Sequence, residues 1–137
     1  MFQYKAIITN VVDGDTFDMD IDLGFHIHIH ERVRLLDVDT PEKFGAEKDL
    51  GLLVEEYAWS NFYRMQVIIQ SEKVNTAAET DSFGRWLVRI NMGGKDICSI
   101  YNSLGVNKKC NTYSEENVRK LRDIIDEDGI GIFQGVK

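Results

Sequence analysis

The chain has one proline, Pro41, among its 137 residues, and only two cysteines, Cys98 and Cys110. A single proline excludes a proline-rich linker. Two thiols are too few for a disulfide framework, and both are expected to be reduced. No apolar run approaches the ~20 residues that a membrane-spanning helix needs. The opening MFQYKAIITNVVDGD has no basic segment followed by a long apolar stretch, so no signal peptide is expected. The cytoplasm is the expected location, with secretion by another route left open. No membrane partner and no obligate protein partner are expected, and a monomer is the default. Basic residues are also in deficit. Lys and Arg number 16 against 23 Asp and Glu, a net charge of −7. That excludes a protein holding nucleic acid through a broad basic surface. It leaves room for one that grips a few phosphates with local arginines and a cation, binding weakly and losing affinity with added salt.

What is present suits one domain, residues 1–137. The 43% hydrophobic content is enough for a core. Residues 4–12 (YKAIITNVV) are rich in β-branched side chains and predict a strand, followed by a turn at VDGDT. Phe17, Met19 and Ile21 alternate with Asp18, Asp20 and Asp22. Residues 26–36 alternate again, so the two runs predict a β-hairpin. From Ala46 to about Arg64 the period becomes helical: Ala46, Leu50, Leu53, Tyr57 and Asn61, widened by Val54, Ala58 and Phe62. Gly51 inside that run costs ~1 kcal/mol against alanine. QVIIQS at 66–71 and Arg85–Met92 predict two more strands, separated by a polar loop over 72–84. Asp96–Leu104 predicts a short helix. A last helix is expected from about Tyr113 to Asp126, with Thr112 and Glu115 as a capping box. Three strands, a helix, two strands and two helices suit an α+β protein built on a five-stranded OB-fold β-barrel with three helices.

Two segments compete for the chemistry. His26, His28 and His30 share one strand face and invite a zinc hypothesis. A three-residue hairpin loop at 23–25 would set Asp22 opposite His26, Asp20 opposite His28 and Asp18 opposite His30. That acid–histidine ladder explains the histidines without a metal, each opposed pair contributing roughly 0.2–1 kcal/mol. Histidines at i, i+2 and i+4 also spread over ~13 Å of strand, too far for one ion. A two-residue Asp/His zinc site stays open.

The second candidate is acidic. Asp39, Thr40 and Glu42 surround Pro41 between a strand and a helix, and Pro41 stiffens both itself and Thr40. Oxygen ligands on a stiff turn suit a hard cation. A second acidic turn, Asp13-Gly14-Asp15-Thr16, precedes the hairpin. Arg32, Arg34 and Arg85 supply candidate phosphate donors.

DGDT at 13–16, RLLDVDTPE at 34–42 and TDSFGR at 80–85 together resemble the staphylococcal nuclease (thermonuclease-like) family, and the similarity runs over most of the chain. The resemblance implies the OB barrel reached above. It implies Ca²⁺ as cofactor, with other divalent cations possible, held by the Asp15 and Asp39 carboxylates and the Thr40 carbonyl. It implies Glu42 as general base, or as the group orienting the attacking water, and Arg34 and Arg85 as the arginines holding the scissile phosphate. Arg34 is thereby chosen over Arg32. The implied activity is a calcium-dependent nuclease hydrolysing DNA and/or RNA with little sequence preference and leaving 3′-phosphate ends. The alternative is a non-catalytic OB-fold module binding single-stranded nucleic acid. Phe83 and Tyr113 are the candidate substrate-binding residues. Two alignments leave Tyr113 open between a base-pocket residue and an ordinary residue of the last helix's first turn. The chain departs from the family in three places. The lysine-rich loop after TPE shrinks to Lys43-Phe44-Gly45, the family's phenol becomes Phe83, and a neighbouring lysine becomes Ser82. Regular alternation also sets Asp15 and Arg34 on opposite faces of the hairpin, so a bulge or strong curvature is needed to join them.

Overall fold

A computed structural model describes residues 2–71 and 85–128. The strands are β1 (Phe2–Asp13), β2 (Thr16–Asp22) and β3 (His28–Leu35), then, beyond α1 (Lys48–Phe62), β4 (Gln66–Ser71) and β5 (Trp86–Met92). A two-residue ribbon, β6 (Lys95–Asp96), leads into α2 (Ile97–Leu104). The last helical stretch is α3 (Glu115–Arg119) followed by α4 (Leu121–Asp128). The sheet runs β3-β2-β1-β4-β5-β6, and a parallel pairing of β3 with β5, Val33 opposite Trp86 through Leu35 opposite Val88, closes it. The result is a closed five-stranded mixed barrel with helices, the α+β OB-like architecture expected from the element order. The loop expected over 72–84, with Ser82 and Phe83, lies outside the described residues.

Alternation builds the barrel interior. Phe17, Met19 and Ile21 on β2, Val33 and Leu35 on β3, Val67 and Ile69 on β4, and Val88 and Ile90 on β5 are all buried. β1 must pair with β2 along one edge and β4 along the other, and its register with β2 slips between Ile8 and Asn10 and between Val11 and Asp13. Such bulges add local twist and help a strand curl.

The hairpin register corrects the expectation. Asp22 faces His28, Asp20 faces His30 and Asp18 faces Arg32. The loop takes five residues, closed by a hydrogen bond from Leu23 N–H to Ile27 C=O at 2.9 Å, with Gly24, Phe25 and His26 all at positive φ. The slip is two residues, not one, so the apolar face stays inward. His26 leaves the strand, and the acid–histidine hydrogen bond that does form is diagonal, between His28 Nδ1 and Asp20 Oδ1 at 2.9 Å. Arg32 is held by Asp18 through Nε at 2.7 Å and a second bond at 3.2 Å.

The helices shift slightly from expectation. Ala46 sits exposed in a 3₁₀ turn (Gly45–Glu47), and α1 begins at Lys48. Its buried face is Leu50, Gly51, Val54, Tyr57, Ala58 and Phe62. The final helix starts at Glu115 with Ser114 as its N-cap, the hydroxyl accepting from Asn117 N–H at 3.0 Å, so Thr112 is not the cap. Thr112 instead donates to the Asn102 carbonyl at 2.7 Å. Both cysteines are free. No helix among the described residues is long and apolar enough to cross a membrane.

One aromatic cluster ties barrel to helices. Phe62 meets Phe17 edge-on at 6.1 Å and Tyr57 at 5.8 Å, and Tyr101 from α2 joins at 6.0 Å from Phe62. Such pairs add about 0.5–1.5 kcal/mol each beyond the area they bury. Tyr101 then donates its hydroxyl to the Gly14 carbonyl at 2.5 Å, so the core anchors the turn between β1 and β2.

Candidate functional site

That turn opens one side of a cleft of about 470 Å³ lined by Asp13, Asp15, Arg34, Thr40, Pro41, Glu42, Lys43, Phe44 and Arg85. The lining residues come from three separated stretches of chain, at the end of β1–β3 away from the hairpin loop.

Asp15 lies at the back. It occupies the second position of the two-residue turn that joins Asp13 to its partner Thr16, so it is not bound by strand alternation. This, with the adjacent irregularity in β1, resolves the parity conflict. Its Oδ2 accepts from Thr40 N–H at 3.1 Å and from Arg34 at 3.4 Å. Its Oδ1 accepts from the Thr16 hydroxyl at 3.2 Å. The side chain is buried, and desolvation, followed by the neighbouring Asp13 carboxylate, pushes its carboxyl up to about 6. The Thr40 N–H and the Arg34 guanidinium act the other way and only partly offset this. Gly14 makes the close approach possible: a Cβ there would meet Val54 at 2.5 Å and the Thr40 hydroxyl at 2.8 Å.

Arg34 faces Thr16 across the β2–β3 ladder and reaches into the cleft. One of its nitrogens lies 3.4 Å from Asp15 and 3.6 Å from Asp39, so two acidic motifs converge on one cationic group. Asp39 itself does not line the cleft; it joins through this pair. Arg85 immediately precedes β5 and donates to the Thr16 hydroxyl at 3.3 Å. Arg34 and Arg85 thus flank Thr16, whereas Arg32 is taken up by Asp18.

Glu42 is exposed and opens to the cleft. Its backbone rests on α1, where Gly51 leaves room. A Cβ on Gly51 would lie 2.1 Å from the Glu42 carbonyl oxygen, which explains a glycine inside a helix. The next residue, Lys43, pins the loop from the other side, bonding both the Val12 carbonyl and the Glu55 carboxylate. Farther out, Glu47 accepts from Glu42 N–H at 3.4 Å and pairs with Lys108 at 3.0 Å, and the Lys108 bond holds the Glu47 carboxyl below its ordinary value.

Of the residues singled out from sequence, Asp15, Arg34, Thr40, Glu42 and Arg85 share the cleft, and Asp39 borders it through Arg34. Tyr113 does not line it. Tyr113 lies before α3, partly packed on the core, and its phenol is pushed up by burial and by nearby Glu47. Phe83 is outside the described residues. Sequence reasoning gave no role to Asp13, although DGDT contained it. It also missed Gly51 as a packing requirement, the Lys43 tether and the Tyr101 anchor.

The cleft's donors to a metal would be oxygens only, as a hard cation prefers. Among the described residues, no three His, Cys, Asp or Glu side chains group closely enough to hold an ion by themselves. A cation between Asp15 and Asp39 would need the Thr40 carbonyl and water to complete its shell. The histidine ladder likewise forms no such group. No protein-family model matches the chain, and no curated protein matches it.

Proposed function

We propose that the chain is a divalent-cation-dependent phosphodiesterase acting on DNA and/or RNA, with calcium as the cation that its oxygen donors suit best. The carrying observation is the meeting of Asp15, Thr40, Glu42, Arg34 and Arg85 in one cleft, with Asp39 reaching the same Arg34 nitrogen. Asp15 and Asp39 both lie within 3.6 Å of one Arg34 nitrogen, so a cation bound between the two carboxylates would take over that contact and release Arg34 toward phosphate. The resemblance to staphylococcal nucleases, resting on the same residues, points the same way.

In this reading Asp15, Asp39 and the Thr40 carbonyl would hold the cation. When bound, it would supply Lewis acidity and screening of the phosphodiester's charge. Arg34 and Arg85 donate charge-assisted bonds to the non-bridging oxygens, and their contribution grows as negative charge builds in the transition state. Glu42, on the open side, orients a water or takes its proton. The water oxygen bonds to phosphorus as the bond to the 5′ oxygen breaks; that oxygen leaves with the bonding pair and takes a proton from solvent, and the phosphate stays on the 3′ side. Pro41 and the packing of the Glu42 peptide on Gly51 fix the backbone from which the carboxylate extends.

The test is cleavage of denatured DNA by the purified protein in calcium, in chelator, and as Glu42→Gln. Calcium-dependent cleavage that falls about 10²–10⁴-fold in the variant is expected. Binding without cleavage would replace this reading with a non-catalytic OB-fold module, and activity restored by zinc alone would shift attention to the histidines.

A further inference from the structure

Asn107 follows α2 and carries none of the sequence motifs, yet it is 1% exposed and polar. Its amide is fully used. Oδ1 accepts from Asp39 N–H at 2.9 Å and from Lys109 N–H at 3.0 Å. Nδ2 donates to the Asp37 carbonyl at 3.0 Å and to Asn102 Oδ1 at 2.9 Å. Two acceptor positions and two N–H donors are all that a carboxamide has. The next residue adds to the grip, since Lys108 N–H donates to the Asp39 carbonyl at 2.7 Å. Both backbone polar groups of Asp39 are therefore taken by a segment far away in the chain.

The held segment needs holding. β3 ends at Leu35, and Asp37 turns the chain at φ 62°, a left-handed conformation that side chains other than glycine's adopt reluctantly. Nothing regular follows until Gly45. Arg89 also holds the Asp37 carboxylate, at 3.1 Å, but the Asn107 amide grips the backbone at both Asp37 and Asp39, and so bears on the direction of the Asp39 carboxylate and of the Thr40 carbonyl. Thr40 N–H is spent on Asp15, so any drift of Asp39 is transmitted to Asp15 as well.

We propose that Asn107 is a positioning residue for the cation site, fixing the Asp37–Thr40 backbone so that the Asp39 and Thr40 oxygens face Asp15. The proposal rests on the nuclease reading for its purpose, not for its geometry. Residues that orient ligands from outside the coordination sphere commonly change metal affinity by about 10–100-fold when removed.

The experiment compares wild type, Asn107→Ala, the milder Asn107→Ser, and Val67→Ala as a control that weakens the barrel far from the cleft. Calcium dissociation constants are measured by calorimetry on protein shown by circular dichroism to be folded. Amide hydrogen exchange is followed at Thr40 in chelator. A rise of at least about tenfold in the calcium constant is expected for Asn107→Ala, with a change under about twofold for Val67→Ala. Thr40, which Asn107 does not touch, should lose protection by a similar factor. Should Asn107→Ala not fold, Asn107→Ser is read by the same two measurements. A folded Asn107 variant with wild-type calcium affinity and wild-type Thr40 protection overturns the proposal while leaving the nuclease reading intact. If wild type binds no calcium and cleaves nothing, the nuclease reading fails, and Thr40 exchange alone decides whether Asn107 holds this segment.

Discussion

Replacing Asp15 with asparagine should make the protein more stable at neutral pH while removing one of the proposed cation ligands. Asp15 is 7% exposed, and its carboxyl is raised from 3.8 to about 6 by burial and by Asp13. At 1.36 kcal/mol per pKa unit, the ionised side chain costs the fold roughly 3 kcal/mol. The sign follows from proton counting. Between its unfolded and folded values the folded state binds more protons than the unfolded state, so this carboxyl makes stability fall as pH rises through that window. Above about pH 6 the whole cost is present, at pH 4.5 about 1 kcal/mol remains, and below the unfolded value it vanishes. The carboxamide oxygen of the Asp15→Asn variant can keep the bonds from Thr40 N–H and Arg34 and its nitrogen can donate toward Asp13, while the bond accepted from the Thr16 hydroxyl is lost. Urea midpoints in chelator at pH 7.5 and pH 4.5 measure the effect. Asp15→Asn should exceed wild type by up to about 3 kcal/mol at the higher pH, and the gap should shrink by about two-thirds at the lower. A variant less stable than wild type at pH 7.5, or a gap independent of pH, would show that the charge of Asp15 is compensated within the fold.

Two other substitutions probe the remaining walls. Gly51→Ala should destabilise the protein by about 1–3 kcal/mol in urea unfolding, as an overpacked site does, although helix propensity alone favours alanine by ~1 kcal/mol; net stabilisation would mean that the Glu42 loop moves aside without cost. Arg85→Lys keeps the charge but loses the planar fork, so kcat should drop about 10²-fold or more with a smaller change in KM; an unchanged kcat would remove Arg85 from the reaction.

The fold was legible where one physical rule acts alone. Thr16–Asp22 alternates without interruption and QVIIQS at 66–71 is a short run rich in β-branched residues, and their strands match the expected bounds to the residue. The hairpin register was not legible. A glycine at 24 announces one left-handed residue, but Phe25 and His26 also adopt positive φ, and no local signal marks a non-glycine for that role. The error did no harm to the core because a two-residue slip returns every side chain to its own face. The start of α1 was misplaced for a related reason: Ala46 fits the helical period, yet a 3₁₀ turn precedes the helix and leaves it in solvent.

The site divides along the same line. Acidic turns and arginines are local patterns that left Arg32 and Arg34 equal, and it was the family resemblance that singled out Asp15, Thr40, Glu42, Arg34 and Arg85. What brings those patterns together is long-range and chemically plain. Tyr101 reaches Gly14, Asn107 reaches Asp39, and Gly51 makes space for Glu42. A tyrosine within a helix and an asparagine beyond its end carry no signal of a distant backbone partner, because any buried polar side chain must find one somewhere. Gly51 did carry a signal. A glycine that costs a helix about 1 kcal/mol implies something pressed against its Cα, and here it is the peptide of the residue proposed as base. The conflict between Asp15 and Arg34 was a useful misfit too. Strand parity forbids their contact, so their meeting required a break in the strand, and the two-residue turn at Gly14-Asp15 is that break. Local rules thus failed at the places where the cleft is assembled, which is where a protein gives up regularity to point a charge inward.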